Sequence, residues 1–291
     1  MTKRLLVPAS APSHTLVTDY VDTSPGNPVT GLTVFARHRA RRLLCMMGPS
    51  GQDSQIQPAF FSNRIARWSG VNNTTAPILD GLAVTNVGTP TAIANATTNF
   101  YASMVRQRFT SAATAASAAG TRSASAQWFL TNTANAGGFF FVCRFGLGAI
   151  SATNRVFVGL STTTAALAAA TNPSALLSLV GFGCDSTHTT FRFMCNDASG
   201  TATLVDLGAN FPCQTAATNF YEFRLFAPSG GGSNVYWSAQ RLNDGIVVQG
   251  QATTDLPALD TLLAAHVHHS NGTTASAVSV DLQSLYIETD N

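Results

Sequence analysis

His266-Val267-His268-His269 is the tightest cluster of chemically capable side chains in this 291-residue chain. On a strand, residues two apart project from one face, so His266 and His268 would stand side by side. Two imidazoles can ligate a transition metal, and three chains around a threefold axis would present six. No carboxylate or cysteine stands close by in sequence to complete a site within one chain. The other reading is a polar strand or loop end leading into Ser270-Asn271-Gly272.

Hydrolytic chemistry finds little material. Glycoside hydrolysis needs two acids about 5–10 Å apart, one with a raised pKa. Glu222 and Glu288 are the only glutamates. Asp185 and Asp197 sit in contexts that suit turns, where a short carboxylate bonds its own backbone. No GxSxG nucleophile elbow and no HExxH zinc motif occurs. Gly48-Pro49-Ser50-Gly51-Gln52-Asp53-Ser54 begins like a phosphate-binding loop, but it lacks the Gly-Lys that reaches the phosphates, and Asp53 would repel them. The expectation is a protein that is not an enzyme and carries no cofactor.

Binding chemistry is better represented. Sugar C–H faces pack on aromatic rings, and Tyr221, Tyr236 and Trp237 fall on strand-like segments, with Trp128 just before the first clear one. Tyr236, Trp237 and Trp128 are the glycan-binding candidates. Tyr236 and Trp237 are neighbours, so one should enter the core and the other face outward. Arg37-His38-Arg39-Ala40-Arg41-Arg42 is a basic run, and Arg64 and Arg67 extend the same character. Residues 1–70 hold eight Lys/Arg against three Asp, whereas the remainder holds eight against eleven Asp/Glu. Such a bias suits a segment that docks on protein, through Arg37, Arg39, Arg41, Arg42, Arg64 and Arg67. A charge run alone does not make the converging phosphate contacts that nucleic acid needs, and nucleic acid is not an expected partner.

The elements that must position these residues read as strands. From Phe139 onward, Phe139, Phe141, Cys143, Phe145 and Leu147 alternate with Phe140, Val142 and Arg144. Period two marks a strand with one buried face. The pattern returns in Arg155–Ser161, Leu179–Cys184, Thr190–Asn196, Thr203–Leu207, Phe220–Ala227, Val235–Leu242 and Ile246–Gln251. In Val278–Glu288 the apolar set changes phase, and a β-bulge near Gln283–Ser284 would reconcile its halves. Turn sequences such as Asn243-Asp244-Gly245 separate the strands. Residues 78–110 are expected to add the first strands, residues 111–126 admit loop, helix or extended chain, and the Ala-rich run at 164–170 reads as a short helix or a crossover loop. Close-spaced strands without amphipathic helices predict an antiparallel β-sandwich.

The prolines at 8, 12, 25 and 28 predict an extended arm over residues 1–30, and residues 32–47 suggest a strand followed by a short basic helix. The domain reading is therefore an N-terminal docking segment, 1–70, and a sandwich, 71–291. Charged residues are only 10% of the chain against a usual share of about 25%, with 45% apolar residues. That balance excludes a disordered chain and leaves Ser, Thr, Asn, Gln and Ala to the surface. The five cysteines are odd in number and lack CxxC spacing, which predicts buried free thiols in a reducing compartment. Leu5-Leu6-Val7 before Pro8 is too short for a signal peptide, and no run approaches a membrane span.

The succession Phe157-Val-Gly-Leu-Ser, Val180-Gly-Phe-Gly-Cys-Asp, Phe193-Met-Cys-Asn-Asp-Ala-Ser-Gly-Thr-Ala-Thr, Val205-Asp-Leu-Gly, Tyr221-Glu-Phe-Arg-Leu-Phe-Ala-Pro and Leu282-Gln-Ser-Leu-Tyr-Ile-Glu resembles a family of tailed-bacteriophage virion proteins, tail-fibre or otherwise structural. The resemblance covers roughly residues 137–290. It implies an all-β, concanavalin-like or jelly-roll sandwich behind a variable N-terminal segment, and it carries no catalytic residues. The implied role is a tail, neck or head appendage in the virion, assembled in the bacterial cytoplasm, with other virion proteins as partners and a homotrimer as the favoured oligomer. The alternative is a receptor-binding, lectin-like module for a bacterial surface glycan.

Overall fold

The computed structural model describes residues 20–21, 28–47, 53–55, 64–71, 74, 78–79 and 82–289. The chain divides into two compact units, Met1–Pro58 and Ala59–Asn291.

The first unit holds a four-stranded sheet, β1 (Tyr20–Val21), β2 (Thr33–Arg39), β3 (Arg41–Met47) and β4 (Asp53–Gln55), in that order. The short basic helix expected within 32–47 is not formed. Arg41–Met47 is a strand because its apolar side chains alternate, with Cys45 and Met47 buried while Leu44 is exposed. Ala40 makes the tight reversal at φ 64° between Arg39 and Arg41, which pair in register. The basic run is thus a hairpin end.

The second unit contributes β5 (Arg64–Ser69), β6 (Ile78–Leu79), β7 (Leu82–Val87), β8 (Thr89–Ala92), β9 (Gln107–Thr110), β10 (Ala118–Ser123), β11 (Phe139–Ala149), β12 (Arg155–Ser161), β13 (Leu179–Cys184) and β14 (Arg192–Asn196). It continues with β15 (Thr203–Asp206), β16 (Phe220–Ala227), β17 (Val235–Arg241), β18 (Val247–Ala252), β19 (Ala264–Ser270) and β20 (Ser279–Thr289). One sheet runs β15-β14-β13-β12-β19-β10-β7-β6. The other runs β18-β17-β16-β11-β20-β9-β8, with β5 also paired to β20. All pairings in both are antiparallel. The sandwich therefore begins at β5, and Arg64 and Arg67, expected in the arm, lie exposed on that strand.

The core lies between the two sheets. Val156, Val158, Leu160, Val180, Phe182, Phe193 and Val267 from the first sheet meet Phe141, Phe145, Tyr221, Phe223, Leu225, Trp237 and Ile287 from the second. Their rings interlock, with Phe182 stacked on Phe223 at 4.3 Å and Phe193 on Trp237 at 5.0 Å. The predicted bulge is present: the register of β11 on β20 shifts where Arg144 faces Ser284 and Phe145 faces Leu282, leaving Gln283 as the extra residue. This single insertion keeps Leu282, Leu285 and Ile287 all in the core. The open segment at 111–126 contains β10, a strand of the first sheet. The Ala-rich run is neither strand nor α-helix.

Candidate functional site

Each sheet has a second face turned away from the core, and the polar chemistry of the sandwich gathers on these two faces. On the first sheet, β19 lies between β12 and β10, so the histidine cluster is central. His266 and His268 project to the outer face, as their spacing requires, and His269 projects inward. The register sets His266 opposite Arg122 and Gly159, and His268 opposite Gly120 and Phe157. Both imidazoles are buried, because residues 162–178 cross this face as an irregular strap. Leu167 of the strap packs on Phe157, Leu179 and Met194.

The strap offers acceptors, and the sheet offers side-chain donors. His266 Nε2 lies 2.8 Å from the carbonyl of Thr163, and Arg122 donates to the carbonyl of Thr164. Ser270 Oγ donates to Ala169 at 2.8 Å, and Asn196 Nδ2 donates to Leu176 at 2.7 Å. Arg155 Nε donates to Asn172 Oδ1 at 2.8 Å. Alanine explains the close fit: residues 165, 166 and 168–170 add no bulk, so sheet side chains reach the strap backbone directly. Burial holds the His266 imidazole down to about 4, with Arg122 adding to the effect against the Thr163 hydrogen bond. Burial, then His266 and His269, hold His268 down to about 3. The two candidate metal ligands thus face a strap, and His266 is already committed to its backbone. Among the described residues no group of three or more His, Cys, Asp or Glu side chains is placed to hold a metal.

The outer face of the second sheet is arranged in rows. Gln251, Tyr236, Phe226 and Phe140 lie in register across β18, β17, β16 and β11. Gln249, Ser238, Arg224 and Val142 form the next row. The Tyr236 ring is half-buried and stacks on Phe226 at 6.3 Å and 25°. Asn234 Nδ2 donates to Tyr236 Oη at 3.5 Å, and Gln251 Nε2 donates to Asn234 Oδ1 at 2.9 Å. Gln249 and Gln251 are exposed. An aromatic ring bordered by amides, with donors and acceptors both on offer, is the chemistry that a neutral, hydroxyl-rich ligand requires.

The acids do not form a catalytic pair. Glu222 is buried between Arg144 and Arg224 on this same face and is ion-paired with both. Burial alone would raise its carboxyl, but the two guanidiniums outweigh that and pull it down to about 2. It is held ionised, the opposite of what a proton donor needs. Asp185 accepts from Ser174 N–H at 3.1 Å and Ser174 Oγ at 2.5 Å. Asp197 accepts from Ser199 N–H at 2.7 Å. The two aspartates follow opposite ends of the β13–β14 pair, roughly 20 Å apart along the strands, so they do not meet.

Of the three glycan-binding candidates, only Tyr236 is available at a surface. Trp237 is 5% exposed and Trp128 2%, both in the core cluster, because each occupies an inward position of its chain segment. Among the docking candidates, Arg37 lies 5.7 Å from the Phe35 ring centre in a cation–π contact. Arg39 pairs with Arg41, and His38 with Arg42, across the β2–β3 hairpin. Sequence reading missed Asn234, Gln249 and Gln251 beside Tyr236, and the strap donors Arg122, Arg155 and Asn196. Strand alternation carried part of this signal, since Gln249 and Gln251 share one face, but cross-strand register is not written in it.

No family model matches the chain, and no curated protein matches its sequence. Several solved structures do match its fold. A protein of unknown function from Shewanella oneidensis MR-1 superimposes with a TM-score of 0.51 at 12% identity, over 80% of this chain and 89% of that one. Arcelin-5, a lectin-like defense protein from Phaseolus vulgaris, gives 0.50 at 10% identity, over 79% and 99%. Lectin II from Ulex europaeus gives 0.50 at 11% identity, over 78% and 98%. Lectin UEA-II, solved with galactose, matches equally well, at 0.50 and 11% identity over 78% and 98%. Such identities establish architecture alone. The chain carries an all-β, antiparallel sandwich of the legume-lectin kind, and among its described residues no helix is long and apolar enough to cross a membrane.

Proposed function

We propose that this chain is a non-catalytic glycan-binding module of a bacteriophage virion, an appendage subunit whose sandwich meets a bacterial surface polysaccharide. The observation that carries the binding reading is the half-exposed Tyr236 ring on the outer face of β17, bordered by Asn234, Gln249 and Gln251. A sugar ring laid on tyrosine gains apolar contact with its C–H face, and the amides accept and donate to its hydroxyls. No net charge stands in that border, which favours a neutral glycan. Galactose bound by a lectin of the same architecture supports the ligand class. Support for the virion comes from the resemblance over residues 137–290 and from the low charge of the chain. Three copies per appendage is the arrangement we favour.

The test uses residues 59–291, a compact unit in its own right, against a panel of purified host polysaccharides. Binding by the wild type and a loss of about tenfold or more in Tyr236→Ala, roughly 1.4 kcal/mol, is the expected result. The variant should stay folded, losing about 1 kcal/mol with the Phe226 stacking of a half-buried ring. Binding that survives Tyr236→Ala unchanged would remove the site, and absence of binding to every host polysaccharide would remove the function. The basic bias of residues 1–70 favours a second role as a docking segment. Particles assembled with a chain lacking residues 1–58 should exclude it, and normal incorporation would dismiss docking. Solution mass measurement checks the trimer.

A further inference from the structure

We propose that the strap of residues 162–178 is an acid-released cover, ejected from the outer face of the first sheet when His266 and His268 take up protons beneath it. The strap is suited to leave as a unit. Its own ends are tied together, since Thr162 N–H donates to the carbonyl of Ser178 at 3.1 Å. It adds no strand to the sheet beneath. Five sheet side chains donate to it, His266, Arg122, Ser270, Arg155 and Asn196, and Leu167 and Leu176 are its apolar anchors. Ser186 N–H also donates to Asn172 Oδ1 at 3.3 Å, and Ser178 N–H, at the strap's end, donates to the carbonyl of Asp197 at 2.5 Å. At its far end Ser174 is bound to Asp185 and its carbonyl accepts from Ala202 N–H at 2.8 Å, an anchorage from which the remainder can swing.

The charge balance under the strap supplies the trigger. From β10, Arg122 faces His266. From β12, Gly159 and Phe157 flank the two histidines, and Arg155 stands at the strand's start, opposite Ser270. From β19 itself come the two imidazoles, with His269 behind them. The carboxylate that touches the strap, Asp185, is engaged by Ser174 at the far end. Protonating His266 and His268 would therefore place two buried cations next to one another, with the half-buried Arg122 guanidinium beside His266 and no carboxylate between them. With the strap lifted, both imidazoles reach water and regain an ordinary affinity for protons. Burial lowers both groups in the closed form. The sign follows: the open form binds more protons, so acid favours opening. Between about pH 6 and the lowered values, the opening constant should rise about tenfold per pH unit for each histidine. Opening uncovers Phe157, Leu179 and Met194 on the face opposite the one that bears Tyr236.

Hydrogen exchange of the full chain, followed by mass spectrometry and corrected for the intrinsic pH dependence of exchange, reads this directly. Strap amides at 163–171 should lose protection by about a hundredfold or more between pH 7 and pH 5, while β11 and β16 stay protected. His266→Gln/His268→Gln retains a donor for Thr163 but cannot be protonated, and its strap protection should be flat across this range. If the double variant fails to fold, His266→Gln alone should halve the wild-type slope. Strap protection independent of pH in the wild type overturns the proposal. So does loss of strap and β11 protection together, or a wild-type slope in the variants.

Discussion

At the scale of single residues, adjacent aromatics take opposite fates. Trp237 stacks on Phe193 and meets Phe182 edge-on at 6.1 Å. Trp237→Ala should therefore cost about 3–5 kcal/mol in chemical denaturation, as large core deletions do, whereas Tyr236→Ala, which removes a half-buried ring stacked on Phe226, should cost only about 1 kcal/mol. Glu222 shows the same rule for charge. Removing its charge by Glu222→Gln leaves two cations, Arg144 and the buried Arg224, without their carboxylate, and should cost about 3–5 kcal/mol at pH 7. The sign with pH is fixed by its lowered carboxyl. The stabilisation is complete above the unfolded value of 4.5 and is lost as pH falls toward about 2. Denaturation curves of the wild type and Glu222→Gln should approach each other over that interval, and a constant gap would show that the ion pairs are not its source.

At the scale of elements, register decides what alternation alone leaves open. Deleting Gln283 would remove the bulge and turn either Leu282 or the pair Leu285 and Ile287 out of the core. The deletion variant should fail to give the cooperative unfolding of the wild type in urea. Gly120 is required for a different reason. It has φ +142°, and a Cβ there would come within 1.8 Å of the carbonyl oxygen of Val267. Gly120→Ala must separate β10 from β19 and should cost at least about 3 kcal/mol by the same measurement. The alternation of Arg155–Ser161, Leu179–Cys184 and Phe220–Ala227 was readable from the chain, because the core-facing side of each strand is apolar, but the single buried face it implied is not what forms: the outer faces of all three are buried as well. The strand at 118–123 was not readable, since Ala-Ala-Gly-Thr-Arg-Ser has no apolar period and becomes a strand only by pairing with β19 and β7. Arg41–Met47 was misread for a related reason: its Leu, Met and Arg residues are good helix formers, and hairpin pairing with β2 overrode that preference.

At the scale of the molecule, acid should loosen the sandwich before it unfolds it. His269 points inward, its Nδ1 3.1 Å from the carbonyl of Ser279, and burial holds it at about 4 despite that hydrogen bond. It can gain a proton only when the sheets part. Its neutral form contributes stability that is complete above about pH 6.5 and falls away toward pH 4, because the unfolded chain binds the proton more tightly. Tryptophan fluorescence, reporting Trp128 and Trp237 in the core, should show the melting temperature declining through this interval, and less steeply in His269→Gln. Truncation belongs to this scale too. A chain beginning at residue 59 keeps β5 on β20, whereas one beginning at residue 71 strips β5 and uncovers the β20 edge, which should lower solubility.

By itself, the sequence determined the all-β class, most strand positions after Phe139, the bulge and the inward or outward alternative for Tyr236 and Trp237. Those follow from period-two patterning, a local property that every strand carries without reference to its partner. Tertiary structure decided which of the two aromatics was surface, which amides came beside it, and that the His266/His268 pair lies under a strap. These depend on contacts between distant segments, as between Phe140 and Phe226 across β11 and β16, or His266 and Thr163, 103 residues apart. Such contacts are set by burial and register over the whole sandwich, and no window of the chain contains both partners.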